Sequence, residues 1–454
     1  MRKKSIAQRS LFDQAIDTLI SVFKPNKQLK AMDAIINDNP DLAKVIHADL
    51  TKDLSYTGRE GISAERILRT AILKQLKDYT YRELREQIHG SVPFRWFTRF
   101  YSDEIPHFTT LQKSIKSIQE DTWRKINNLL VNYATVKKIE KGNDLRMDTT
   151  VIETNIAYPV DARLLWDSVR VLTRIMEASI LVVAELTFNF AKRTKRSKRL
   201  CYAIVMAKGP KAQKRRKKLY RELLKVTHEV VTMAYGCSEQ LAKSTHSKAP
   251  ALHAALNHYL MLATKTIDQC ERRVLKGEKV PSSEKIVSIF EEHTDIIKRG
   301  KSQSPTEFGH KVLFATGKSG LVTQYETFRG NPGDSGMLPQ ILSTHHTQYG
   351  KAPGSLSGDR RFFSSENEQI AYRNGVKKVC LSKPGYRSKS RRELEREPWF
   401  RKLKRFRAGI EGIISTLMRS FGLSRCLWKS WKSFCSYVGL CSVTFNLRKI
   451  AALI

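Results

Sequence analysis

Asp144-Leu145-Arg146-Met147-Asp148-Thr149-Thr150-Val151-Ile152 breaks the character of everything before it. Alternation and β-branched residues predict a strand here. On its N-terminal side, residues 1–140 read as helical. Ser63 is placed to cap a helix that runs through Ile67, Leu68, Ala71, Ile72 and Leu76. Thr80, with Glu83 three residues on, forms a capping box for the next helix. An aromatic cluster follows at Phe94, Trp96, Phe97 and Phe100, and Pro106 to Leu111 leads into a third helix.

On the C-terminal side, helical spacing returns from Asp161 to about Ile297, carried by Leu164, Leu165, Val169 and Leu172, then Leu219, Leu223 and Leu224, then Leu252, Leu256 and Leu260. Strands reappear at Lys311–Ala315 and Leu321–Phe328, a hairpin around Gly317-Lys318-Ser319-Gly320. A helix over Ser335–Tyr349, short strands at Leu356–Phe363 and Val376–Leu381, and helix from Phe406 onward complete the order. With the long helical block removed, a compact α/β domain remains. The block is tolerated if its ends, near Asn155 and Phe308, lie close together. The expected organisation is therefore α+β or α/β and multidomain. It has a helical domain at 1–140, the first part of the core at 141–160, a basic helical insertion at 161–300 and the rest of the core at 301–454.

Charge narrows the function. The 454 residues hold 81 Lys and Arg against 44 Asp and Glu, a formal net charge of +37. Such a balance repels itself unless a polyanion is near, and nucleic acid is the expected partner. Short helices with tight turns at 1–140 fit a helix-turn-helix-like DNA-binding module, and also an ordinary helical dimerisation domain. Ala191 to Tyr220 holds 13 basic and no acidic residues, including Lys214-Arg215-Arg216-Lys217-Lys218. Lys383 to Arg407 holds 11 basic and 3 acidic residues, among them Arg391, Arg392, Lys402, Lys404 and Arg405. Both stretches are expected to hold DNA backbone. Seven cysteines lack any C-x-x-C pair, which argues against a zinc ribbon or a disulfide framework. His310, His345 and His346 read as surface or helper residues. Gly317-Lys318-Ser319 lacks the upstream glycine of a nucleotide-binding loop, so ATP use is not expected. Gln8, Arg9, Asp13 and Gln14 interrupt the N-terminal segment, which reads as no signal peptide. A cytoplasmic protein associated with the bacterial nucleoid, with no membrane partner, is expected.

Three carboxylates stand out by position: Asp148 in the first strand, Asp359 at the end of a later short strand, and Glu411 on a helix. Placed on two strands and a helix, they can converge on one sheet edge. Oxygen-only ligands suit Mg²⁺ or Mn²⁺ rather than Zn²⁺, and a pair of such ions serves phosphodiester chemistry. Glu153 and Asp161 compete with Asp148 for the first role. Asp334, in Asn331-Pro332-Gly333-Asp334, competes with Asp359 but reads as a turn residue. Glu393, Glu395 and Glu397 compete with Glu411 and read as solvated ion-pair partners.

These residues carry a resemblance. Asp148-Thr149-Thr150 with Asn155, followed by Tyr158-Pro159 and Asp161-Ala162, resembles the first catalytic block of the DDE transposases of bacterial insertion sequences. Gly330-Asn331-Pro332, Gly358-Asp359-Arg360 and Asn367 resemble the second, and Arg407 with Glu411-Gly412, then Phe421-Gly422-Leu423 and Asn446-Leu447, the third. Tyr81-Arg82-Glu83-Leu84 and Phe108-Thr109-Thr110-Leu111 are similar to that family's helical DNA-binding region. The resemblance implies an RNase H-like core and a metal site of Asp148, Asp359 and Glu411, with Arg407 orienting the scissile phosphate. It implies DNA as partner, both terminal repeats and target, and a homo-oligomer, a dimer, on that DNA. Lys404, Met418 and Arg361 depart from the family pattern. Two readings from other classes stand beside it: a catalytically inactive DNA-binding protein that kept the fold, and a basic RNA-associated structural protein.

Overall fold

The computed structural model describes Lys3 and residues 27–52, 61–298 and 306–454. Gln8, Arg9, Asp13 and Gln14, on which the reading against a signal peptide rests, lie outside the described residues, as does the expected boundary at 300/301. The chain forms two compact units, one of residues 1–155 with 309–454, the other of 156–308.

The larger unit opens with α1 (Lys27–Asp38), α2 (Asp41–Thr51), α3 (Ala64–Lys77), α4 (Tyr81–Gly90), α5 (Val92–Thr98), α6 (Phe108–Lys116) and α7 (Glu120–Val136), then β1 (Asp144–Thr154). Helix α3 starts where the Ser63 side chain accepts from the Arg66 amide, and the Thr80–Glu83 capping box opens α4. The smaller unit contains α8 (Asp161–Val182), α9 (Thr194–Met206), α10 (Ala212–Lys243), α11 (Ala249–Cys270) and the short β2 (Asp295–Lys298). The larger unit resumes along β3 (Thr306–Thr316), β4 (Val322–Phe328), α12 (Leu338–Tyr349), β5 (Ser355–Gly358), α13 (Ser365–Arg373), β6 (Lys378–Leu381), α14 (Lys389–Arg396), α15 (Pro398–Ser420), β7 (Arg425–Cys426) and α16 (Trp431–Ala451).

The sheet is mixed. Strand β1 runs antiparallel to β3, with Asp148 opposite Phe314, and parallel to β5, with Met147 opposite Gly358. Strand β4 lies antiparallel on β3, β6 parallel on β5, and β7 parallel on the end of β1. Glu153 pairs with Gly309, so the chain leaves and re-enters the larger unit at adjacent points. The strand expected over Leu356–Phe363 stops at Gly358, because Arg360–Phe362 turns into a 3-10 helix.

Leu145, Met147, Leu313 and Ala315 face α12 and α13 and close a core with Ile341, Leu356 and Val379. Ile152, Val312 and Phe314 belong to a larger core shared with α1–α7, α15 and α16. The helices of 1–140 are thus not a unit of their own, as the sequence suggested; the boundary falls after Asn155. Three of them, α1, α3 and α7, pack on α16, Trp431–Ala451, near the other end of the chain. Within α16 every residue from Phe434 to Leu447 is buried. A helix apolar on all sides belongs inside a core. Polar groups fix its place. Asn446 donates to Asn127 Oδ1 and the Val322 carbonyl, both at 2.8 Å, and accepts from the Val322 amide. Gln75 Nε2 donates to the Phe421 carbonyl.

The smaller unit has its own core, in which Leu165, Val169 and Leu172 of α8 meet Leu223 and Val230 of α10 and Leu256 and Ala263 of α11. Among the described residues no helix is long and apolar enough to cross a membrane.

Candidate active site

Register places the first two carboxylates. Gly358 sits opposite Met147 on parallel strands, so one residue further on Asp359 follows β5 as Asp148 follows Met147. Gly358 has no room for a side chain, since a Cβ there lies 2.9 Å from the Met147 methyl and 3.0 Å from Leu381. Helix α15 brings Arg407 and Glu411 one turn apart. Arg407 Nη1 lies 2.9 Å from Glu411 Oε1 and 3.5 Å from Asp148 Oδ2. The Asp148 side chain is 17% exposed, that of Glu411 60%.

The electrostatics agree with this clustering. Burial, helped by the neighbouring Asp359 and Glu411 and opposed by the Thr149 amide and Arg407, pushes the Asp148 carboxyl up to about 6. Asp148 Oδ1 accepts from the Thr149 amide at 2.8 Å. A cleft of about 330 Å³ opens beside these groups, lined by Asp359, Arg360, Cys380, Ser382, Lys404 and Arg407. One carboxylate, Asp359, and three cations, Arg360, Lys404 and Arg407, share its wall. Among the described residues no group of three or more His, Cys, Asp and Glu side chains is gathered closely enough to hold a metal ion; Glu411 is turned onto Arg407.

Of the competing carboxylates, Glu393 and Glu397 are exposed, and the other four are held by partners of their own. Glu153 pairs with Arg425 at 2.6 Å. Asp161, in the smaller unit, accepts from Gln269 and from Arg273, each at 2.9 Å. Glu395 is held by Arg387 and Arg391. Asp334 is more than a turn residue. It is buried, pairs with Lys311 Nζ at 2.8 Å and accepts from Thr149 Oγ1 at 3.1 Å, which ties the Gly330–Asp334 loop to the residue after Asp148. Lys311 at the head of the apolar run Val312-Leu313-Phe314-Ala315 was a readable hint, since a buried lysine requires a counter-charge.

Two histidines are not surface residues. His310 is buried, with its ring edge-on to Trp431 and Phe434, and His345 is buried with Nε2 3.0 Å from the Gly142 carbonyl. His346 is exposed. The basic residues divide as well. Lys214, Arg215, Arg216 and Lys218 are exposed at the start of α10, with Lys217 half-buried. Arg392, Lys402, Lys404 and Arg405 are exposed on α14 and α15. Arg391 is enclosed: it bonds Glu368, Glu395 and the Leu381 carbonyl and stacks on Phe363. Its guanidinium is taken up in holding α14 against α13 rather than turned outward to phosphate.

Residues 17–117 match a family model described as Transposase domain (DUF772). The match supports a transposase. It takes in α1 to α6 and ends before the carboxylate-bearing elements, so it bears on the helices that share the larger core. No curated protein and no solved structure matches the chain.

Proposed function

We propose that this transposase binds the ends of its own insertion sequence, cleaves the DNA there and joins it to target DNA. The observation that carries the reading is the meeting of Asp148, Arg407 and Glu411, with Asp359 one position beyond the paired ends of β1 and β5. A mixed sheet that sets Asp148 and Asp359 at neighbouring positions on parallel strands supports the reading of an RNase H-like core. The net charge of +37 supplies the affinity for phosphate.

The donor set suits Mg²⁺ or Mn²⁺ in kind: oxygen only, anionic, and with one carboxyl raised by burial and, in smaller part, by its like-charged neighbours. Asp148 and Asp359 would hold the metal and Glu411 would complete the site on release from Arg407. When bound, such ions activate a water or 3′-hydroxyl and stabilise the leaving oxygen. The residues themselves do the rest. Arg407, freed from Glu411, is placed to orient the scissile phosphate, and Lys404 and Arg360 at the rim hold the neighbouring backbone.

The test is strand cleavage of the matching element ends with Mg²⁺. Asp148→Ala, Asp359→Ala and Glu411→Ala are each expected to abolish cleavage while DNA affinity stays near that of the parent. Full activity in any one removes that residue from the site. A parent that binds its ends but never cuts them is a DNA-binding protein that kept the fold.

A further inference from the structure

Arg146 lies on the same face of β1 as Asp148, two residues before it. Its side chain is buried, and all of its reach is used to join three elements. Nε donates to Thr316 Oγ1 on β3 at 2.8 Å, Nη1 donates to the Phe406 carbonyl on α15 at 2.7 Å, and the guanidinium lies 4.5 Å from the centre of the Phe406 ring. Phe406 immediately precedes Arg407. The anchor therefore fixes α15 on the sheet directly beside the contact between Arg407 and Asp148.

A second observation, on the helix itself, points the same way. Gly409 sits in the middle of α15, exposed, where glycine costs a helix about 1 kcal/mol relative to alanine. A Cβ there would lie 2.2 Å from Arg146 Nη1. An arginine end can usually swing away, but this one would have to give up Thr316 and the Phe406 carbonyl to do so. At Gly412, one turn on, a Cβ would meet nothing within 4 Å.

We propose that Arg146 is a positioning residue whose guanidinium, seated in the space left by Gly409, sets the register of α15 on β1 and so delivers Arg407 and Glu411 to Asp148. The inference rests on the transposase reading for its consequence and on geometry alone for the contact. A shift of about 1 Å in a reacting group costs on the order of 100-fold in rate. Removal of the anchor therefore acts on turnover rather than on binding.

The experiment is a double-mutant cycle in the full chain. Thermal unfolding is measured for the parent, Arg146→Met, Gly409→Ala and the pair. Gly409→Ala is expected to lower the unfolding midpoint of the parent and to leave it unchanged or raised beside Arg146→Met. Equal effects in both backgrounds overturn the contact. On the element ends with Mg²⁺, Arg146→Met and Gly409→Ala are each expected to lose about 100-fold in turnover with unchanged DNA affinity, the pair no more than either alone, and Arg146→Lys less than Arg146→Met. Parent-level turnover in folded Arg146→Met overturns the positioning role. No cleavage by the parent counts against the transposase reading, and the unfolding cycle still decides the contact.

Discussion

Asp148 illustrates how a single side chain records the character of a site. Its proton is held more tightly in the folded chain than in the unfolded one, where the ordinary value is 3.8, because burial and two like charges penalise the anion. Folding is therefore favoured by this group below pH 3.8, and that contribution is lost as pH rises to about 6. Asn cannot ionise. Asp148→Asn is expected to be more stable than the parent by up to about 3 kcal/mol at pH 8, with the gap closing toward pH 4. Denaturant unfolding at both pH values checks it, and a gap independent of pH would mean that folding does not raise the Asp148 carboxyl. The Lys311–Asp334 pair behaves differently, because each charge is enclosed with the other. Asp334→Ala strands the ammonium and is expected to cost about 3–5 kcal/mol; adding Lys311→Met should recover most of it. Of these residues only Asp148 was legible in sequence as part of a site. A strand with Asp near its middle, followed by two further carboxylates in order, is a pattern along the chain. The partnership of Lys311 with Asp334, or of Arg146 with Phe406, is a pattern across it, and no spacing rule foretells which distant residues will meet.

Secondary structure follows the same division. The caps at Ser63 and Thr80 were readable because a capping side chain bonds an amide three residues on. The end of β5 was not, since Leu356–Phe363 carries apolar residues on both sides of the turn that Asp359 begins. The same limit applies to the basic elements. Arg391 and Lys402 look alike in a charge run, yet Arg391 meets Glu368 and Glu395 while Lys402 faces solvent. The exposed start of α10 carries the plainer expectation. Changing Lys214, Arg215, Arg216, Lys217 and Lys218 together to Ala should weaken binding to all DNA sequences alike. It should also flatten the salt dependence of affinity by about 0.9 in slope for each phosphate that is no longer neutralised. A salt titration of binding measures this directly, and an unchanged slope assigns the run to solubility.

The whole molecule divides unevenly in its capacity to stand alone. Residues 156–308 bury their own core, whereas the helices before β1 share theirs with α15 and α16. A fragment of 156–308 is expected to unfold cooperatively. A fragment of 1–140 is expected to bind a hydrophobic dye and to unfold without a sharp transition, as calorimetry would show. The insertion could be seen in the sequence because its helical periodicity differs from the strands on either side. The merging of the N-terminal helices with the far end of the chain could not, because an apolar face does not state what covers it.

The place of α16 also has a meaning in time. Proteins are made from the N-terminus at roughly 5–20 residues per second, so α1 to α7 leave the ribosome on the order of 15 s to a minute before the helix that completes their core. During that interval the faces of α1, α3 and α7 that α16 covers lack their native partner. The carboxylates come late too: Glu411 is made only a few seconds before α16, on the helix that packs against β1. A chain still on the ribosome before α16 emerges therefore lacks the helix that closes its N-terminal core.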